Sequence, residues 1–252
     1  MCPLLRGNSL LAAEHIDAGY GPVQVLFDVN LHVAAGELVG ICGPNGVGKS
    51  TLMRVLSGLS APSAGTVRLD DLDITRTPAA RRPALGMTTV VGQLAFGSLT
   101  VAENLRLHGY AVRGGRAAVA EALDGVYAVF PRLYQRRHQP AAYLSGGERQ
   151  MLVLAKALVQ RPRLLLIDEL SLGLAPVVVG GLLELVRSLG QLGVAALVVE
   201  QSVNVAISLV DRIYFMEKGT IVAEHRSADL AEQPELVQSL LLGGHSVAGT
   251  VA

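Results

Sequence analysis

A glycine-rich stretch that contains one lysine has the spacing needed to hold phosphate groups. It reads Gly43-Pro44-Asn45-Gly46-Val47-Gly48-Lys49-Ser50 and is followed by Thr51. Glycine tolerates positive φ and has no side chain, so the backbone can wrap closely around a phosphate. Backbone N–H groups at the start of a helix attract the anion. Lys49 would reach the β- and γ-phosphates, and the Ser50 hydroxyl would take one Mg²⁺ position. The stretch predicts a nucleoside triphosphate site of the P-loop type.

The segments on either side of this loop agree with that prediction. The apolar run Leu38–Cys42 precedes it, as a buried strand would, and apolar residues at helical spacing follow within 52–56. One alternative is an ordinary glycine-rich turn between a strand and a helix, but a match at all eight positions in this context leaves it little room. The other is a dinucleotide fold, whose Gly-x-Gly-x-x-Gly spacing differs.

Two acids end a second apolar segment. Leu164–Ile167 is apolar throughout, and Asp168 and Glu169 follow it directly. A strand this apolar lies inside a parallel sheet, and the carboxyl ends of such strands face the ligand crevice. Beside a P-loop, Asp168 would lie near the Mg²⁺. Glu169 would orient or deprotonate the attacking water.

A third segment begins a helix with an unusual first turn. It reads Leu144-Ser145-Gly146-Gly147-Glu148-Arg149-Gln150, and the helix continues to Val159. Ser145 and Glu148 have capping-box spacing, which alone explains both residues structurally. Capping does not explain two glycines, because glycine costs roughly 1 kcal/mol against alanine inside a helix. They are consistent with a helix end kept bare so that an anion can approach.

Two further residues lie beside these segments. Tyr20 is placed on a predicted turn, Gly19–Pro22, where its ring either stacks on a purine base or packs locally. Gln201 follows the buried strand predicted over 194–199. From its position alone, Gln201 would cap the helix starting near Val203.

Length and composition limit the class of protein. The chain has 252 residues, half of them apolar, with 4% aromatics, 28 glycines and zero formal net charge. This profile suits a compact α/β protein of one or two domains and favours no nucleic-acid partner. No membrane-spanning run or secretion signal is present, and two cysteines form neither a disulfide framework nor a metal site. We expect a soluble cytoplasmic protein in which Cys42 is an inert core thiol.

The hydrophobic pattern predicts an α/β fold with a mostly parallel sheet, a small antiparallel β part and an inserted α-helical subdomain. Residues 1–9 and 243–252 are predicted to be tails around one domain, 10–242, with the helical subdomain at about 97–157. The other predicted elements are strands at 10–15, 23–33, 65–69 and 86–91, helices at 177–189 and 203–209, a hairpin of 212–216 with 220–224, and a helix near 234–242.

Two charged clusters have no predicted catalytic or binding role. Asp70-Asp71 stands at a turn and is interpreted as solvated. Arg132, Arg136, Arg137 and His138 form a basic cluster, interpreted as a solvated face, with lipid headgroups as the alternative.

Over about residues 10–240 the sequence resembles the ATP-binding cassette ATPases. The specific mark is Leu144–Gln150, which looks like the signature motif of that family and stands between a P-loop and an acidic strand end. Within the family the likeness is greatest to the branched-chain amino-acid uptake group. The segments that carry it are Gly19–Leu26, Ser98–Val101, Ser171–Pro176 and Val198–Gln201, with Arg132, Arg136 and Arg137.

The resemblance implies an ATPase that powers solute import through a separate integral membrane permease. Two cassettes, as a homodimer or heterodimer, would clamp ATP head to tail between Gly43–Thr51 of one and Ser145–Glu148 of the other. The Mg²⁺ ligands would be Ser50, Asp168 and Gln93. The permease would dock in the groove near the Gln93 loop and the helical subdomain, at the cytoplasmic face of the inner (plasma) membrane.

Three positions depart from the family pattern. Leu170 stands where proline usually follows the two acids, with a small expected effect on backbone stiffness. Gln93 lies closer to Phe96 than the family's sensing residue does, so either the loop is shortened or Gln93 is not the equivalent residue. Gln201 stands where the family more often has histidine, in agreement with the branched-chain group. The resemblance implies that its amide donates to a phosphate and accepts from the water without titrating, as the alternative to capping the next helix.

Other functions remain open from the sequence alone. A soluble ATPase that remodels nucleic acid or ribosomes would carry a second cassette or a basic extension, and neither is seen. A lipid-export cassette would have a similar build. A module that binds ATP without turnover would conflict with an intact Lys49 and Glu169.

Overall fold

The computed structural model describes residues 9–91, 95–112, 114–168 and 176–233, together with Glu235 and Val237. Gln93, Glu169 and Leu170 lie outside the described residues, as do the terminal segments 1–8 and 238–252 and most of the helix predicted near 234–242.

Ten strands and eight α-helices occur in this part of the chain. The strands are β1 (Ser9–Tyr20), β2 (Val23–Ala34), β3 (Leu38–Cys42), β4 (Ala64–Leu69), β5 (Leu72–Asp73), β6 (Met87–Val91), β7 (Leu164–Asp168), β8 (Ala195–Glu200), β9 (Arg212–Glu217) and β10 (Thr220–Arg226). The helices are α1 (Lys49–Leu56), α2 (Val101–Leu107), α3 (Gly115–Val129), α4 (Pro131–Gln135), α5 (Gly146–Val159), α6 (Pro176–Gln191), α7 (Val203–Leu209) and α8 (Ser227–Glu232).

The strands form two sheets. A six-stranded sheet has the order β10-β9-β3-β8-β7-β6, in which every pair is parallel except the β9–β10 hairpin. A four-stranded antiparallel sheet has the order β2-β1-β4-β5. The predicted fold class, a mostly parallel sheet with a smaller antiparallel part, is therefore confirmed.

The six-stranded sheet is the middle layer, because its central strands send alternate side chains into two different cores. In β3, Leu38 and Cys42 pack with α5, α6 and α7, whereas Val39 and Ile41 pack with α1 and the antiparallel sheet. Every residue of β3 and β8 is buried. This explains why these strands are continuously apolar and lack the alternation of a half-exposed sheet.

The inserted helices lie between β6 and β7, where the helical segment was predicted. Helix α2 begins with a capping box made by Thr100 and Glu103, and α3 begins after Gly114, which adopts a φ of 108°. The break predicted at Gly114-Gly115 is thus observed. Leu105, Leu133 and Leu152 are fully buried and pack α2, α4 and α5 together.

Four local features differ from expectation. Strand β1 continues to Tyr20, so that Tyr20 ends a strand and does not lie on the turn, and Ser9 belongs to β1 and not to a tail. Helix α8 was not predicted. Asp70 is not simply solvated, because its Oδ2 accepts from Arg163 Nη1 at 2.7 Å.

None of the helices within the described ranges combines the length and apolarity that a membrane crossing requires.

A buried arginine, Arg82, donates a hydrogen bond to the end of α1. Arg82 is only 2% exposed. Its Nε donates to Thr77 O at 3.0 Å, its Nη2 to Ile74 O at 2.8 Å, and its Nη1 to Leu56 O at the last residue of α1. Burial lowers the pKa of Arg82 to about 10, which leaves it charged at neutral pH. Arg82 therefore satisfies a carbonyl at the helix end that would otherwise have no intrahelical donor.

We predict that Arg82→Met lowers the free energy of unfolding by about 3 kcal/mol or more, because two buried carbonyl groups and one part-buried carbonyl group lose a charged donor. Urea unfolding followed by circular dichroism measures this change. Arg81→Met, at the exposed neighbouring position, is the matched control and should shift stability by no more than about 0.5 kcal/mol. Equal unfolding midpoints for the two variants would contradict the prediction.

Candidate functional site

The glycine-rich loop joins β3 to α1 and has little space around its backbone. A Cβ at Gly43 would lie 2.2 Å from the carbonyl oxygen of Met216, in β9. Gly48 has a φ of 110°, and a Cβ there would lie 2.8 Å from Leu26 Cδ2. In addition, Gly219 N donates to Val47 O at 2.9 Å. Strands β2 and β9 and the β9–β10 turn therefore form the wall of the loop. Glycine is required at positions 43 and 48, because a side chain there would collide with this wall.

Lys49 is held inside this loop. It is 5% exposed, and its Nζ donates to Gly43 O at 2.6 Å and to Pro44 O at 2.9 Å. A buried ammonium needs such partners, because its desolvation is otherwise costly. The contacts place the positive charge against the carbonyls at the start of the loop, close to where the loop would enclose a phosphate. These two carbonyls fix the direction of the ammonium group.

Tyr20 is tied to α1. Its hydroxyl lies 3.3 Å from Thr51 Oγ1, at the third residue of α1, while the residue as a whole is 52% exposed. The hydroxyl contact fixes one end of the side chain. The exposed ring remains accessible for stacking on a planar group, which is the role expected from the sequence.

Asp168 is in register with Ile41 of β3, the strand that leads into the loop, across the intervening strand β8. Ile41 of β3 pairs with Val199 of β8, and Val199 pairs with Asp168 of β7. At the usual spacing between strands, Asp168 is about 10 Å from β3. By the alternation of side chains along β7, Asp168 shares a face with Leu164 and Leu166, whose core includes α1. It therefore faces the side of the sheet that α1 covers, where Ser50 lies in the first turn of the helix.

These groups suit a magnesium ion that is shared with a phosphate ligand. No group of three or more His, Cys, Asp or Glu side chains that could hold a metal occurs in the part of the chain that the structure describes. Mg²⁺ is commonly bound by one or two protein oxygens together with substrate phosphates. The exposed Ser50 hydroxyl and the half-buried Asp168 carboxylate offer such oxygens.

Gln201 follows β8, the strand between β3 and β7, and is exposed. This location is at the same edge of the sheet as the P-loop and Asp168. The sequence left open whether Gln201 caps the next helix. The structure assigns that cap to Ser202, whose Oγ accepts from Val205 N at 3.4 Å. The capping interpretation of Gln201 is therefore wrong.

The thiol of Cys42, which ends β3 directly before the loop, is unreactive at neutral pH. Cys42 is fully buried and pairs with Glu200 in the sheet. Burial, together with the charge of Glu200, raises the pKa of Cys42 to about 12, although Lys49 opposes the change. The thiol stays protonated at neutral pH and is a poor nucleophile, as expected for a core cysteine.

The predicted capping box at the start of α5 is confirmed. Ser145 Oγ accepts from Glu148 N at 3.3 Å, and Glu148 Oε2 accepts from Ser145 N at 3.0 Å. Gly147 and Glu148 are buried, Gly146 is half-buried and Ser145 is exposed. Helix α5 packs in the core on the face of the six-stranded sheet opposite to α1. Residues Ser145–Glu148 thus begin a helix on the other side of the sheet from the P-loop helix.

Arg136 in the basic cluster is exposed, as the sequence interpretation expects, but it also makes a specific contact. Its Nε lies 2.8 Å from Glu148 Oε1, so that this arginine is the ionic partner of a residue in the first turn of α5. Arg137 instead stacks over the ring of Tyr134, at 4.2 Å from the ring centroid. The ion pair between Arg136 and Glu148 joins the end of α4 to the start of α5. It is a tertiary contact, and no local sequence pattern indicates it.

Burial by itself would raise the pKa of Glu148. The hydrogen bonds from Ser145 and the positive charges of Arg136 and Arg132 outweigh that effect and hold the pKa below its ordinary value. Glu148 is therefore ionised at neutral pH despite its low exposure.

Comparison with known proteins identifies the family. The profile described as "ABC transporter" matches residues 26–171. The chain is 38% identical over 236 residues to the high-affinity branched-chain amino acid transport ATP-binding protein BraG of Pseudomonas aeruginosa, covering 93% of this chain and 100% of that protein.

Two solved structures are similar in fold. The ADP conformation of MJ1267, an ATP-binding cassette of an ABC transporter, has a TM-score of 0.82 and 25% identity, covering 91% of this chain and 97% of that one. A dimeric post-hydrolysis state of the cassette MJ0796, bound to ADP and Pi, has a TM-score of 0.72 and 25% identity, covering 86% and 98%. With a P-loop, an acidic strand end and a capped signature helix all in place, the chain belongs to the ABC transporter family as one of its ATP-hydrolysing cassettes.

Proposed function

We propose that ATP hydrolysis by this chain drives the import of amino acids, of the branched-chain class, through a separate integral membrane permease. The observation that carries the ATPase chemistry is the common edge of the sheet, where the P-loop, Gln201 and Asp168 follow neighbouring strands. The solute class is supported by the likeness to BraG, over the whole length of that protein.

In this proposal the backbone of Gly43–Thr51 encloses the phosphates, and Lys49 exchanges its loop carbonyls for phosphate oxygens. Ser50 and Asp168 would hold Mg²⁺, with Gln93, outside the described residues, as a third ligand. The ion supplies charge neutralisation on the phosphates. Tyr20 would stack on the base through its exposed ring.

Water activation is assigned to two residues that follow adjacent strands. Glu169 follows β7 and would orient or deprotonate the attacking water. Gln201 follows β8 and would hold the water or the γ-phosphate through its amide, which does not titrate.

The site is proposed to be completed by a second cassette, as a homodimer or heterodimer. In each subunit, Ser145–Glu148 would meet the nucleotide held by the partner's P-loop. Two observations support this: α1 and α5 pack on opposite faces of the sheet, and a solved cassette of similar fold is dimeric with ADP and Pi.

Residues 10–242 are proposed to form one cassette domain, with the helical subdomain at about 97–157. The permease would dock between this subdomain and the Gln93 loop, which makes the chain a peripheral protein at the cytoplasmic face of the inner membrane. No nucleic-acid partner is proposed.

A reconstitution experiment tests the transport proposal. The chain and its co-purifying permease would be placed in liposomes with external leucine, and ATP supplied on the cassette side should drive leucine across the bilayer. ATP hydrolysis with no leucine movement, or with movement of lipid instead, would support the exporter alternative and contradict import.

We predict that Lys49→Ala abolishes tight ATP binding, because it removes the ammonium that the loop holds ready for the phosphates. A fluorescent-nucleotide titration measures the dissociation constant. Arg54→Ala, which removes one exposed positive charge from the same helix, is the matched control and should bind as the parent does. Undiminished affinity in Lys49→Ala would overturn the P-loop assignment.

Glu169→Gln should leave ATP binding intact and stop turnover, so that an ATP-bound dimer accumulates. Light scattering in the presence of ATP detects the dimer, and phosphate release measures turnover. Glu184→Gln makes the same chemical change at an exposed position of α6 and should hydrolyse at the parental rate. Normal hydrolysis by Glu169→Gln would refute the role of Glu169.

Gln201→Ala should slow hydrolysis while leaving ATP affinity nearly unchanged, and Gln201→His should restore part of the rate. The reason is that the proposed amide contacts act on the water and not on the bound nucleotide as a whole. Gln191→Ala, at the exposed end of α6, is the control. A parental rate in folded Gln201→Ala protein would place Gln201 outside the site.

A further inference from the structure

The start of α5 contains a buried carboxylate that lies beside a proposed anion site. The side chain of Glu148 is 9% exposed, and its two oxygens have different partners. Oε2 accepts from Ser145 N at 3.0 Å, and Oε1 pairs with Arg136 Nε at 2.8 Å. Of these two partners only Arg136 carries a charge, and it balances the charge of Glu148 together with the positive charge of Arg132.

The charge balance matters because of what a helix N-terminus attracts. Its unsatisfied N–H groups are equivalent to roughly half a positive charge and favour an anion. A full negative charge on Glu148 in the first turn opposes that attraction. Arg136, whose Nε lies 2.8 Å from Glu148 Oε1, makes the direct contact that offsets this charge, and Arg132 adds to it.

The position of Arg136 is fixed by packing. It follows directly after α4, whose Leu133 is fully buried in the same core as α5. Arg137, one residue further, is stacked on Tyr134 and makes no ion pair with Glu148. Of these two adjacent arginines, Arg136 alone is directed at α5.

We propose that Arg136 is a positioning residue for ATP-dependent closure of the cassette dimer. Arg136 offsets the negative charge of Glu148 and holds its carboxylate in place. Ser145 and the first N–H groups of α5 can therefore approach the γ-phosphate held by the partner's P-loop. This inference rests on the dimer proposed above. It adds a residue outside the signature motif that controls the affinity of that motif for the nucleotide.

The test separates closure from nucleotide binding by one subunit. In the Glu169→Gln background, Arg136→Met should raise the ATP concentration needed for half-maximal dimerisation about tenfold, since the carboxylate near the triphosphate then lacks its direct ionic partner. Binding of ATP to dilute monomer, measured by fluorescent-nucleotide titration, should not change, because the P-loop is intact. Arg136→Lys retains the charge and should recover most of the loss.

Two comparisons distinguish this electrostatic role from simple support of the fold. Adding Glu148→Gln removes the charge that Arg136 compensates and retains a side chain able to form the capping box. In the Glu148→Gln background, Arg136→Met should therefore cost less than about twofold. The defect in the Glu148-containing protein should also shrink as ionic strength rises, because salt screens the repulsion.

Arg137→Met is the matched control, since it removes a neighbouring positive charge that does not reach Glu148. It should dimerise as the parent does. The inference is overturned if Arg137→Met and Arg136→Met have equal effects, or if the Arg136→Met defect persists undiminished in the Glu148→Gln background. If the Glu169→Gln parent itself forms no ATP-dependent dimer, the proposed dimer fails first, and that result is distinct from a failure of Arg136 alone.

Discussion

A parallel sheet that is covered on both faces can present polar groups only where its strands end. Helices cover one face of the six-stranded sheet, and α1 with the antiparallel sheet covers the other. The interior of β3, β7 and β8 is accordingly apolar, and the lysine loop, Asp168 and Gln201 all come at the carboxyl edge. Burial of the strands therefore determines where the chemistry of this protein is located.

The sequence predicted those parts of the fold and the site that depend on local patterns. Continuous apolar runs identified the interior strands, and the Ser145–Glu148 spacing identified a capping box that the structure contains. Contacts between distant segments left no local pattern. The ion pair of the exposed Arg136 was missed because its partner, Glu148, belongs to another helix. Arg82 likewise gave no signal, since its carbonyl partners belong to the end of α1, at Leu56, and to a turn that contains Ile74 and Thr77.

Charged groups are buried at several points in this molecule, and each has specific partners. Lys49 donates to loop carbonyls, Arg82 to carbonyls around the end of α1, and Arg212 to Glu37 and Glu224 in the described core. Such groups lose solvation when they are buried, so that their contacts must be retained for the fold to be stable. The partners also fix the charges in space, and a fixed charge is what recognition of a phosphate needs.

The wall of the P-loop has a consequence for the order of events during synthesis. Met216 O lies against Gly43, and Gly219 donates to Val47, so the loop is completed by a hairpin near the other end of the described chain. A nascent polypeptide that has emerged from the ribosome only as far as β8 has the lysine but lacks this support. The contacts that shape the loop are therefore completed only after β9 and the turn that follows it have been synthesised.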